Sequence, residues 1–144
     1  MSITRSLIVI VVAGLLACGL LVTREASAAG PCTLGSLSGP YGVKFDGHSG
    51  TLGRFGSVSI WTFNGQGGMT ASEVFNSDAT GPQTRTVDGS YNVLANCGFI
   101  LLFPSTLAHV HEAVGGCVLV DGAKEFYCLD VEAGWVATAV GKKI

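Results

Sequence analysis

From Pro40 onward, apolar and polar residues alternate in short runs set off by glycine. Runs rich in Val, Ile, Phe, Tyr, Trp and Thr fit a pleated surface. They predict strands near 40–46, 53–63, 69–76, 84–94, 98–104, 106–114, 117–121, 124–132 and 135–140. Asn64-Gly-Gln-Gly-Gly68 reads as a tight connection and Ser77 to Gln83 as a longer polar loop. Gly115-Gly116 and Asp121-Gly122 mark further turns. Helical spacing of apolar residues is sustained only in the N-terminal run. Eight or nine short antiparallel strands predict an all-β fold, either a small closed barrel or a β-sandwich. The barrel is favoured because it abolishes the edges that an apolar sheet would expose.

Some strands are apolar on both faces. Phe99, Leu101 and Phe103 point to one side of their strand, and Ile100 and Leu102 to the other. Phe55, Trp61 and Phe63 share one face of the second strand, with Val58 and Ile60 opposite. A strand of a small barrel needs only one buried face. Three arrangements account for the excess: a second subunit outside, a lumen apolar enough to hold a hydrophobic guest, or ordinary packing under loops. Tyr41, Trp61, Tyr91, Phe99, Phe103 and Trp135 are the aromatic candidates for enclosing a guest.

The first 28 residues change the picture of where this happens. An arginine precedes the apolar run Leu7 to Val22, followed by Ala26-Ser27-Ala28, the layout of a secretory leader cleaved after Ala28. A rival reading is that Leu15-Leu16-Ala17-Cys18 is a lipobox, which would leave a lipid on Cys18. In either case the product is secreted or periplasmic, and it touches a membrane only through the leader or that lipid. Residues 29–144 then form a single domain of about 116 residues, long enough to bury a real core. Without Arg5, Arg24 and Glu25 it carries six basic and nine acidic side chains, a net charge near −3. No basic run is present to neutralise a phosphate backbone, so a nucleic-acid partner is excluded.

Four cysteines remain, Cys32, Cys97, Cys117 and Cys128, an even count that reads as two disulfides in an exported domain. If Gly122-Ala123 are the loop residues of a hairpin, Cys117 and Cys128 fall directly opposite one another, and Cys32 is left for Cys97. A turn at Asp121-Gly122 would shift the register and break that alignment. A structural zinc site is disfavoured, since there is no Cys-x-x-Cys.

Side chains capable of chemistry are few. His109 and His111 lie on one face of an expected strand, ~7 Å apart at Cα, which can present two ligands to zinc or copper. A third ligand would come from Glu73, Asp130 or His48, while Glu112 faces away. The competing reading has both histidines simply solvated. Gly47-His-Ser-Gly50 puts His48 beside Ser49, but neighbours on a strand face opposite ways, so the histidine is badly placed to activate the serine. Asp46, Glu73 and Asp130 could converge as hydrolytic carboxylates, although nothing in their spacing requires it.

Gly39-Pro-Tyr-Gly-Val43 and Gly89-Ser-Tyr-Asn-Val93 share the pattern Gly-x-Tyr-x-Val. With Cys32-x4-Leu37-Ser-Gly-Pro-Tyr-Gly-Val43, Phe63-Asn-Gly-Gln-Gly67 and the cysteine at 97, they resemble a group of exported bacterial β-barrel proteins of uncharacterised function. The resemblance implies architecture and no catalytic residues, and it also favours pairing Cys32 with Cys97. A more distant similarity is to calycin barrels such as lipocalins, which open on Gly-x-Trp where this chain has Gly39-Pro-Tyr41. Such barrels hold small apolar ligands in the lumen. The expected role is therefore non-catalytic: binding a small apolar molecule without a cofactor, or contributing to an assembly such as a homo-oligomer. An isomerase or cyclase of hydrophobic substrates is the enzymatic alternative, and metal binding through His109 and His111 the third.

Overall fold

The computed structural model describes residues 30–103, 115–130 and 133–144. The expected leader, the histidine pair His109 and His111, and the expected strand at 106–114 lie outside the described residues.

Eight antiparallel strands close into one barrel, each paired with its neighbours in the chain: β1 (Ser38–Ser49), β2 (Gly53–Asn64), β3 (Gly68–Ser77), β4 (Gln83–Val93), β5 (Gly98–Leu102), β6 (Gly115–Val120), β7 (Glu125–Asp130) and β8 (Trp135–Lys143). β8 closes on β1 from Tyr41↔Lys143 to Ser49↔Trp135, so neither terminal strand is an open edge. The barrel expected from the sequence is therefore the fold, and the sandwich alternative is set aside. β5 pairs directly with β6, with Gly98 opposite Val118.

Strict alternation drives the closure. Along β2, Phe55, Ser57, Ser59, Trp61 and Phe63 are buried while the residues between them are not. Along β3, the inward set is Met69, Ala71, Glu73, Phe75 and Ser77. Outward residues stay exposed even when apolar, as Val58, Ile60 and Val136 are.

Turn chemistry sets the registers. At the β2–β3 turn, the Asn64 side-chain oxygen accepts hydrogen bonds from the N–H groups of Gln66 (2.8 Å) and Gly68 (3.0 Å). The β6–β7 hairpin centres on Gly122-Ala123, with Val120 opposite Glu125, and this puts Cys117 opposite Cys128. These two form a disulfide, and Cys32 pairs with Cys97, so the connectivity is the expected one. Two disulfides fit an oxidising, extracytoplasmic compartment. Both neighbours of β8 approach it closely, β7 at Gly141 and β1 at Gly47. At Gly141 a Cβ would run into the Phe126 ring, and at Gly47 it would meet Ala137 and the Val136 carbonyl.

Candidate functional site

The two ends of the barrel are filled differently. At one end lie the β2–β3, β4–β5 and β6–β7 turns together with the segment preceding β1. Here Tyr41, Phe63, Tyr91, Phe99 and Phe126 pack into a dense aromatic cluster, with Phe126 edge-on to Phe63 and Phe99 and stacked beside Trp61. Leu37 closes the floor and is fully buried. The two Gly-x-Tyr-x-Val tyrosines play matching parts, each anchoring a backbone carbonyl at this end. Tyr41 donates to the Ala123 carbonyl, and Tyr91 donates to that of Leu37 at 2.8 Å. Burial, followed by the neighbouring Tyr91, pushes the Tyr41 hydroxyl pKa above its usual 10.0.

The opposite half is not filled. A partly open cavity of about 70 Å³ lies there. Trp61, Ala71, Val87 and Leu101 form its deep wall, and Leu52, Phe75 and Trp135 stand nearer the strand ends. Small inward residues make the space: Ala71 on β3, and Ala137 and Ala139 on β8, occupy positions where bulkier side chains would complete the packing.

One ion pair interrupts this apolar wall. Glu73 and Arg85 are direct cross-strand partners on β3 and β4, and both point into the lumen. The Arg85 Nε donates to Glu73 Oε1 at 2.5 Å, and the guanidinium lies 4.2 Å from the centre of the Phe75 ring. Side-chain exposure is 8% for Glu73 and 22% for Arg85. A paired charge so far inside must overcome a large desolvation cost, and two well-packed apolar residues would do at least as well for stability. Asp130, near the end of β7, lines the same cavity. The Trp61 indole N–H is also buried, and it has no hydrogen-bond partner among the described residues.

The structure divides the six aromatic candidates. Trp61, Phe103 and Trp135 line the cavity, while Tyr41, Tyr91 and Phe99 belong to the packed cluster beneath it. Of the three carboxylates weighed as a catalytic set, Glu73 and Asp130 share the cavity. Asp46 is outside, paired with Lys44 at 3.3 Å. His48 is exposed and Ser49 buried, with the serine hydroxyl accepting from the Leu52 N–H at 3.0 Å, so the two do not act together. Among the described residues no group of three His, Cys, Asp or Glu side chains could hold a metal. Arg85 was missing from the candidates. It was legible from strand phase, because Arg85, Val87 and Tyr91 share one face of β4.

Compared with known proteins, the chain matches no family model, no curated protein and no solved structure.

Proposed function

We propose that this chain is an exported, non-catalytic binding protein that holds a small apolar molecule in the unfilled half of its barrel. The single observation carrying this is the asymmetry of the lumen. One half is filled by buried aromatic rings in mutual contact, and the other keeps a cavity of about 70 Å³ with a largely apolar wall. For scale, a dry engineered cavity of about 150 Å³ takes up benzene. The space here suits a short chain or small branched group, with the rest of the guest lying toward the open mouth. Disulfides and a leader-like N-terminus support function outside the cytoplasm.

Native mass spectrometry of protein purified from exporting cells tests the reading. One organic molecule per chain is expected, and it should be lost when Ala71→Leu and Ala139→Leu fill the cavity. A chain that stays bare after exposure to small apolar compounds would overturn it.

A second reading has one observation in its favour. Leu94, Ile100, Val118, Tyr127 and Leu129 line a shallow apolar groove on the outer face of β5, β6 and β7, which would suit a place in an assembly. Sedimentation at increasing concentration would reveal self-association.

A further inference from the structure

Resting on that binding role, we infer that the guest enters uncharged and carries a hydroxyl or amide that sits between Arg85 and Glu73. The pair lies between the Ala71 and Phe75 levels of the cavity wall, with Glu73 two residues along β3 from each and Arg85 its cross-strand partner. With Asp130 and the buried Trp61 indole N–H, it is one of the polar features that the described residues offer a guest inside the cavity.

Charge selects against ions. The Arg85 guanidinium already has its counter-ion in Glu73, at 2.5 Å. A guest carboxylate would bring a second negative charge beside Glu73, whose own charge is already matched by Arg85. In a poorly solvated lumen such repulsion is only weakly screened, and the incoming charge loses its own hydration as well. An ammonium would meet the guanidinium instead, with the same penalty.

A neutral hydroxyl or amide avoids both costs and fits the chemistry of the pair. A guanidinium offers five N–H donors in a fixed plane, and a carboxylate offers about four acceptor positions. One hydrogen bond between Nε and Oε1 uses a fraction of either. The Phe75 ring lies over the guanidinium, steadying the plane while its edge remains the hydrogen-bonding side. A group that donates and accepts at once can therefore bond to both partners without separating them. The apolar remainder of the guest packs on Trp61, Val87 and Leu101.

A matched five-carbon series tests this: pentan-1-ol, pentanamide, pentanoate, pentylammonium and pentane. Binding is read at pH 7 from the emission of Trp61 and Trp135, the chain's two tryptophans, both on the cavity wall. The alcohol and amide should bind at least tenfold tighter than either ion and several-fold tighter than pentane. In Glu73→Gln, which leaves Arg85 without its counter-ion, pentanoate should gain at least tenfold. In the double variant Glu73→Leu with Arg85→Met, the preference for pentanol over pentane should vanish. Pentanoate binding as tightly as pentanol to the unaltered protein would overturn the inference, as would an unchanged ranking in either variant, and the binding role would survive. Failure of all five compounds, pentane included, would instead overturn the binding role itself.

Discussion

The hydroxyl of Tyr41, on the first long strand, donates to the carbonyl of Ala123 across a sequence separation of 82 residues. Ala123 ends a run of three left-handed residues in the β6–β7 turn: Asp121 at φ 49°, Gly122 at 62° and Ala123 at 64°. Only the middle residue is glycine, so the turn stores backbone strain that the tyrosine helps to hold. Replacing Ala123 with glycine should relieve it and raise stability by about 0.5–1 kcal/mol, read from the denaturant midpoint.

Tyr41 also gives the barrel an alkaline limit. Its pKa is raised in the folded state, chiefly by burial, so the folded chain holds this proton more tightly than the unfolded one. The associated stability is fully present below pH 10.0 and is lost as pH climbs from there through the folded-state pKa. Tyr41→Phe should therefore flatten the alkaline arm of the stability profile. At neutral pH it should cost about 1 kcal/mol for the lost hydrogen bond.

The two disulfides should contribute unequally. Cys32–Cys97 closes a separation of 65 residues, tying the segment before β1 to the β4–β5 turn, while Cys117–Cys128 closes 11. By loop-closure entropy, removing the first costs about 4 kcal/mol and the second about 3. Chemical denaturation of the paired Cys→Ser variants gives the order, and the reverse order would show that strain or residual structure dominates.

Gly141 has no room for a methyl group. The added Cβ would strike Phe126, which is fully buried among Tyr41, Trp61, Phe63 and Phe99 and has nowhere to move. Gly141→Ala should cost about 2–3 kcal/mol by overpacking. The same substitution at Gly50, with open space around it, should be far milder in the same thermal unfolding assay.

Glu73 and Arg85 should behave as a unit. Arg85→Met alone strands a buried carboxylate and should cost about 3–5 kcal/mol, whereas the double variant with Glu73→Leu should fall close to the unaltered protein. A double variant as unstable as the single one would mean the pair holds the barrel together and is not there for a guest.

Much of this was legible from the alternation of residues. The inward phase of β2 and β5 follows from period-two patterning, whereas the hairpin register that joins Cys117 to Cys128 and closure into a barrel were each one of two readings the residues allowed, and the structure selects between them. What patterning does not contain is depth. Phe99 and Trp61 both face inward, yet one is buried in the aromatic cluster and the other lines the cavity, and only the stagger of neighbouring strands separates them. The ion pair of the lumen had a sequence signature, a glutamate in the inward phase between Ala71 and Phe75. Its meaning depended on the register that sets Arg85 opposite.

The central claim is that the unfilled half of the lumen receives the guest, and chemical-shift mapping with pentan-1-ol tests it most directly. Methyl signals of Ala71, Val87, Leu101, Ala137 and Ala139 should move and saturate together. Those of Ile100, Val118 and Leu129 on the outer groove should stay fixed. Shifts confined to the outer groove, with the lumen methyls unmoved, would contradict the account.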